Sequence, residues 1–320
     1  MTSVLALTGG VGGAKLALGL ARVLPPGELT CVVNTGDDFR HLGLDISPDI
    51  DTLLYTLAGL ADPVHGWGRR DDTATFMQAL TALGGATWFH LGDADLAIHV
   101  ERTHRQAAGH SLAAITDDLR RRLGIAQRVV PMCNEPVRTR VRTAGGWLAF
   151  QEYFVRRRCE PAVRELEYLG ADAATPVREL QALATQPGLR AVVICPSNPF
   201  LSVGPVLALR GVRDALARCT APVIAVSPIV AGRAVKGPTA KLMGELGFEV
   251  GHAAIAAHYD GLIDALLVDD DSGGAADGAA APGQAPWITA PTLMQTLEDR
   301  ERLARCVLDI ADRLAASPRP

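Results

Sequence analysis

No two cysteines of this 320-residue chain form a C-x-x-C pair, and the six present (Cys31, Cys133, Cys159, Cys195, Cys219, Cys306) follow no zinc-ligand spacing. They read as reduced thiols that fill a core rather than as a disulfide framework or a metal ribbon. An excess of charge of one sign is also missing. With a net charge of −4 and an isoelectric point near 6.1, the chain has no global electrostatic footprint for nucleic acid or an anionic membrane. The N-terminus enters Val4-Leu5-Ala6-Leu7 and then glycines, without a basic leader or a long apolar stretch. Neither a signal peptide nor a membrane span is expected, and the expected location is the cytoplasm. No internal repeat is visible. What is present, 48% hydrophobic residues over 320, can bury one large core or two unequal ones, enough for an enzyme.

Short Val- and Ile-rich runs alternate with helical periodicity, as βαβ units require when helices cover both faces of a parallel sheet. The expected fold is therefore α/β, a Rossmann-like, doubly wound, mostly parallel sheet. Val4–Thr8 and Leu29–Asn34 read as its first strands, with a helix over Lys15–Val23 stopped by Pro25-Pro26-Gly27. Ala191–Cys195 and Val223–Ser227 read as later strands. Val129–Met132, Val137–Arg142, Trp147–Phe150 and Arg164–Tyr168 are shorter and partly alternating, which suggests a smaller α/β subdomain over 125–185 beside a core of 1–124 and 186–320. The acidic, then Gly/Ala-rich stretch Asp269–Pro286 reads as a loop, and Glu298–Leu314 as a final helix.

The strongest local signal is Thr8-Gly9-Gly10-Val11-Gly12-Gly13-Ala14-Lys15 between strand and helix. Glycines let a backbone approach a diphosphate, and a helix N-terminus offers it free N–H groups. A tight βα turn with no ligand is the other reading. The segment matches neither G-x-x-x-x-G-K-[ST] nor G-x-G-x-x-G, and strand two ends in Asn34 rather than the acid expected for a dinucleotide ribose. Lys15 either reaches a phosphate or is a solvated first-turn lysine.

Five carboxylates, Asp37, Asp38, Asp45, Asp49 and Asp51, follow strand two on loops near the presumed ligand edge. Hard oxygen ligands suit magnesium, which bridges protein carboxylates and substrate phosphates. The alternative is that Ser47 or Asp49 caps a helix and the rest are solvated. The run Trp88-Phe89-His90-Leu91-Gly92-Asp93-Ala94-Asp95, continuing to His99, either borders a flat heteroaromatic ligand or packs as core. Cys195-Pro196-Ser197-Asn198-Pro199 and Ser227-Pro228-Ile229-Val230 end strands in loops that either hold a nucleotide or merely turn, with Arg233, Lys236 and Lys241 nearby in sequence.

As a series, the glycine loop, Asn34-Thr35-Gly36-Asp37-Asp38, Ser47-Pro48-Asp49-Ile50-Asp51-Thr52, Leu91-Gly92-Asp93, Pro131-Met132, Val137-Arg138-Thr139, Pro196-Ser197-Asn198-Pro199, Ser227-Pro228-Ile229-Val230 and Val235-Lys236-Gly237-Pro238 resemble the 2-phospho-L-lactate transferase family of coenzyme F420 biosynthesis. The resemblance implies a magnesium-dependent transfer of a phospho-acyl group (2-phospholactate, phosphoenolpyruvate or 3-phosphoglycerate) from a guanylyl diphosphate. The acceptor is the ribityl hydroxyl of 7,8-didemethyl-8-hydroxy-5-deazariboflavin, and GMP leaves. It further implies that Asp37 and Asp51 are the catalytic and metal-binding carboxylates, and that Asp49, His90 and Asp93 border the deazaflavin. Gly9, Gly10, Gly12, Gly13, Lys15, Ser197 and Asn198 would hold the nucleotide phosphates. Ala94 and Ile98 depart from the family's usual L-G-D-R-D-L-A-T-H, and Asn134-Glu135-Pro136 replaces a more acidic turn. A related family of nucleotide-sugar-binding regulators shares the glycine-loop fold but lacks the Ser-Pro-Asp-Ile-Asp-Thr run. A dehydrogenase is disfavoured by Asn34. A homodimer is the expected assembly.

Overall fold

The computed structural model describes residues 3–230, 238–270 and 285–316, together with 233–234 as backbone. Lys236, the Arg233 side chain and most of the Gly/Ala-rich stretch after Asp270 lie outside the described residues.

Seven strands form the central sheet: β1 (Ser3–Thr8), β2 (Leu29–Val33), β3 (Arg128–Pro131), β4 (Leu189–Ile194), β5 (Val223–Val226), β6 (Ala265–Val268) and β7 (Trp287–Thr289). Every neighbouring pair is parallel, in the order β7-β6-β5-β4-β1-β2-β3. Successive side chains of a strand point to opposite faces, and here both faces are buried. Val4 and Ala6 enter one core, Leu5 and Leu7 the other. The labelled helices are α1 (Gly10–Val23), α2 (Pro48–Leu57), α3 (Thr75–Ala82), α4 (Asp93–Ala107), α5 (Leu112–Arg122) and α6 (Leu297–Ala316). Residues of α1, α2, α4, α5 and α6 close the first core, while short helices at Gly204–Ala208, Val212–Ala217 and His252–His258 close the second. The four buried cysteines sit in the interior as filler, and Cys31 is pushed up to about 12 by its burial.

Topology places the ligand crevice. The chain runs outward from β1 through β2 to β3, then returns to β4 on the other side of β1 and runs out to β7. The loops after β1 and β4 therefore diverge at a topological switch point, where open α/β sheets bind ligands.

The smaller unit differs from expectation in one respect. Arg128–Pro131, expected within it, pairs in parallel with β2 and is the edge strand of the main sheet. A four-residue strand carries too little pattern to name its partner. The small sheet consists of Arg138–Thr143 between Gly146–Ala149 and Glu165–Leu169, all antiparallel. Its apolar cluster of Val141, Phe150, Tyr153 and Val163 includes Leu201 and Leu242 from the main body. That shared packing holds Phe150 and its neighbours near the switch point. No helix among the described residues is long and apolar enough to cross a membrane.

Candidate functional site

A cavity of about 620 Å³ lies at the switch point, lined by the glycine loop, the loop after β4, the start of α2, the 65–68 and 88–90 segments and Phe150–Val155. Of the residues expected to hold phosphates, Gly9, Gly10, Gly12, Lys15, Ser197 and Asn198 line it. Gly13 does not. It lies under the loop, where an added methyl would stand 2.3 Å from Thr8 Oγ1 and 2.5 Å from Ser197 Oγ, so its role is close packing of α1 on β1. Gly10 has φ +61°, a left-handed conformation that glycine adopts without strain. Lys15 donates to the Met294 carbonyl at 2.9 Å.

Ser197 and Asn198 spend their side chains on the protein. Ser197 Oγ accepts from Gly9 N–H at 3.3 Å and donates to the Gly9 carbonyl at 2.8 Å, fixing the glycine loop to the end of β4. Asn198 Oδ1 caps the turn at Pro199–Val203 by accepting from Phe200 and Leu201 N–H, while Nδ2 donates to Thr239 Oγ1. Lys241 pairs with Glu245 and donates to the Pro161 carbonyl, away from the cavity lining.

The five acids divide. Asp37, Asp49 and Asp51 line the main cavity, whereas Asp38 and Asp45 line a second one of about 350 Å³. Asn34, at the end of β2, donates to Asp49 Oδ2 at 2.9 Å, and its Oδ1 accepts from Gly36 N–H, drawing the 34–38 loop against the first turn of α2. Burial lifts the Asp37 carboxyl well above its ordinary value, and Asp49 lifts it further. Asp49 is also raised, by burial, against the opposing bonds from Asn34 and the Gly10 backbone. Asp38 rises to about 7 for the same reason, although Arg138 and the 2.8 Å bond from Ser47 Oγ pull it down. Of Ser47 and Asp49, the two residues expected as a cap of α2, Ser47 stands at the cap position but gives its hydroxyl to Asp38. Asp37 Oδ1 is buried without a hydrogen-bond partner.

Asp51 does not pair with Asp37. Both its oxygens take hydrogen bonds from the Arg102 guanidinium of α4, one at 3.1 Å from Nη1 and a shorter one from Nη2. Arg102 is 1% exposed; burial pulls its pKa down, but Asp51 more than offsets this and the net shift is upward. Arg102 Nη1 also lies 3.3 Å from His99 Nδ1, while His99 Nε2 stands 3.1 Å from Asp95 Oδ2. Tyr55 Oη donates to Asp95 Oδ1. Burial pushes Asp95 up, but His99, Tyr55 and Arg102 together hold it below the usual carboxylate range. Of the two carboxylates expected at a metal, Asp51 is thus engaged by Arg102, whereas Asp37 has Asp49 as its acidic neighbour.

Of the expected acceptor residues, Asp49 and His90 share the cavity and Asp93 does not line it. His90 is exposed and lines the cavity beside Trp88 and Phe89, which are in an irregular segment rather than a strand. Asp49 lines the same cavity at the glycine loop, where a methyl added to Gly9 would stand 2.7 Å from its Oδ2. Asp93 is absent from the cavity wall. Its carboxylate accepts from Thr73 Oγ1 and from Thr75 and Phe76 N–H at the start of α3, and these bonds draw it down to about 2. Helix capping, the ordinary use of an Asp beside free N–H groups, accounts for it. Three aromatic groups were not anticipated from the sequence: Trp67, and Phe150 and Phe154 beside the small sheet, whose rings stack at 5.2 Å. Gln151 joins them and donates to the Asp37 carbonyl.

The fold and cavity define a doubly wound α/β protein with its glycine loop and acid pair at the switch point. The chain belongs to the 2-phospho-L-lactate transferase family: residues 4–289 match the family profile described as 2-phospho-L-lactate transferase CofD. It is 37% identical over 320 residues to a phosphoenolpyruvate transferase of Streptomyces griseus, covering 98% of this chain and 99% of that one. A 2-phospho-L-lactate transferase of Methanopyrus kandleri is 37% identical over 313 residues, covering 96% and 97%. Among solved structures, a UPF0052-family protein of Bacillus halodurans superposes with a TM-score of 0.59 at 15% identity, covering 96% of this chain and 98% of that one; this likeness concerns the fold alone.

Proposed function

We propose that the chain moves a phospho-acyl group from a guanylyl diphosphate donor onto the ribityl hydroxyl of 7,8-didemethyl-8-hydroxy-5-deazariboflavin, releasing GMP, with magnesium as the metal. One observation carries this reading: a helix N-terminus with a glycine loop, a buried acid pair and an aromatic wall share one cavity. Each part answers one chemical need. The loop offers N–H groups to the diphosphate, the Trp67, Trp88, Phe89 and Phe154 rings suit a flat tricyclic acceptor, and the acids lie between chemistry and metal.

In the step, a lone pair of the acceptor hydroxyl oxygen forms a bond to the phosphorus that carries the acid. The bond from that phosphorus to the bridging oxygen breaks, and the bridging oxygen leaves with its electron pair as part of GMP. The hydroxyl proton passes to the carboxylate of Asp37. No covalent nucleophile is needed, since phosphoryl transfer depends on alignment and charge neutralisation.

The residues fit magnesium. Among the described residues no group of three or more His, Cys, Asp or Glu stands ready to hold an ion, but magnesium takes one or two carboxylates and completes its shell with water and substrate oxygens. Asp37, with an unpartnered buried oxygen, and Asp49 would be those two. Bound there, the ion would neutralise charge on the diphosphate and the departing GMP.

Mass spectrometry of the chain with the deazaflavin precursor, magnesium and each of the lactyl, enolpyruvyl and glyceryl guanylyl donors tests the reading. The expected product is the precursor plus one phospho-acyl group, formed together with GMP. No product from any of the three donors would overturn it. Guanine nucleotides are also expected to bind more tightly than adenine nucleotides, by about tenfold or 1.4 kcal/mol; equal calorimetric affinities for GDP and ADP would remove the guanylyl assignment.

A further inference from the structure

The loop after β4 presents three polar side chains to the cavity: Ser197, Asn198 and Ser202. Two are engaged by the protein, Ser197 with the Gly9 backbone and Asn198 with the turn it caps and with Thr239. Ser202 differs. It is 7% exposed and lines the cavity, yet its hydroxyl makes no hydrogen bond among the described residues. Its backbone is fixed, since its N–H donates to the Asn198 carbonyl at 2.9 Å within the turn at Pro199–Val203.

Its position relative to the glycine loop is narrow. A methyl added to Gly9 would stand 2.7 Å from Ser202 Cβ and 3.1 Å from its Oγ, and equally 2.7 Å from Asp49 Oδ2. A methyl added to Gly10 would stand 4.0 Å from both Ser202 Oγ and Asp49 Oδ1. Ser202 Oγ and the Asp49 carboxylate thus both border the first two glycines, where the backbone is bare and α1 begins. A hydroxyl that opens into a cavity with no protein partner is a donor awaiting an acceptor.

We propose that Ser202 is a phosphoryl-binding residue: its hydroxyl donates a hydrogen bond to a non-bridging oxygen of the phosphoryl group held over Gly9 and Gly10. The inference rests on the diphosphate reading above and adds to it a residue and a contact. The Ser202 proton stays on Ser202 throughout. As charge on the non-bridging oxygens changes during transfer, the bond contributes to binding and to the transition state together.

Ser202→Ala removes the hydroxyl without stranding a protein partner, so its melting temperature is expected to equal that of the natural chain. Calorimetry with inorganic diphosphate and with GDP, each with magnesium, should show affinity weakened about tenfold, and turnover should fall about tenfold to a hundredfold. The ³¹P resonance of the terminal phosphate of bound GDP should shift between the two proteins. A merely structural serine would lower the melting temperature and leave the phosphorus resonance in place, which would overturn the proposal. Unchanged diphosphate affinity, resonance and turnover in Ser202→Ala would overturn it too, while leaving the diphosphate reading intact. Failure of the natural chain to bind diphosphate or GDP would overturn both.

Discussion

An Arg102→Met variant is expected to lose about 3–5 kcal/mol of stability, the usual cost of removing one partner from a buried ion pair. Arg102 is nearly inaccessible, and its guanidinium meets both Asp51 oxygens, the Asp45 carbonyl and His99 Nδ1. Without it the Asp51 carboxylate stays buried with only the His99 ring against it, at 3.6 Å, and that ring is shared with Asp95. The loss should appear as a lower denaturant midpoint with an unchanged slope. Because the cost lies in the stranded charge, an Arg102→Met/Asp51→Leu double variant should recover most of it. If the double variant is no more stable than Arg102→Met, the pair does not act as a structural unit. Asp51 would then have to be reconsidered as a free carboxylate of the site.

That pair also shows where the sequence could be read and where it could not. The glycine loop was legible because its function is local: strand, glycines and helix start are consecutive. The sheet was legible for the same reason, since strands buried on both faces are continuous apolar runs such as Leu189–Ile194. The acid cluster was legible as a cluster but not as a set of partners. Asp51 meets Arg102 across 51 positions, and Asn34, which draws Asp49 toward the 34–38 loop, signalled only the end of a strand. Asp93 carried a composition equally suited to a ligand wall and to a cap, and free N–H groups at Thr75 and Phe76 decided it. Phe150 and Phe154 follow small-sheet strands whose partly alternating pattern gave no sign that the sheet packs against Leu201 at the cavity. Ser202 was hidden behind Ser197 and Asn198, the more obvious polar residues of the same loop.

Asp37→Asn and Asp49→Asn are each expected to raise the stability of the ligand-free protein at pH 8 while lowering turnover about 100-fold or more, the loss typical of a missing transition-state electrostatic contact. Both effects follow from one arrangement. The cavity wall carries Asp37, Asp49, Asp51 and Asp95 against Lys15 as the sole Lys or Arg among its described residues. Arg102 pairs with Asp51, and Asp95 takes a hydrogen bond from Tyr55 and faces the His99 ring. Asp37 and Asp49 have no such partner cation among the described residues; burial raises both, and Asp49 raises Asp37 further, so both carboxyls bind protons more tightly folded than unfolded. Groups raised in this way stabilise the fold below their unfolded values, near 4, and that contribution is lost as pH rises through the folded values. The ligand-free chain should therefore lose stability from about pH 4 upward, as pH rises through Asp49 at about 6 and through the raised Asp37. An asparagine at 37 or 49 keeps the shape, cannot ionise, and should flatten that decline. The same pair, once ionised, is what a hard cation and a diphosphate need, so added magnesium should raise the melting temperature of the natural chain at pH 8 and do less for either variant. Turnover in the natural chain should cease in EDTA, whereas GDP affinity should change little in Asp37→Asn, because Asp49, not Asp37, accepts from the Gly10 backbone. Variants that melt lower than the natural chain at pH 8, or that turn over at its rate, would show that these carboxylates bear neither the strain nor the chemistry assigned to them.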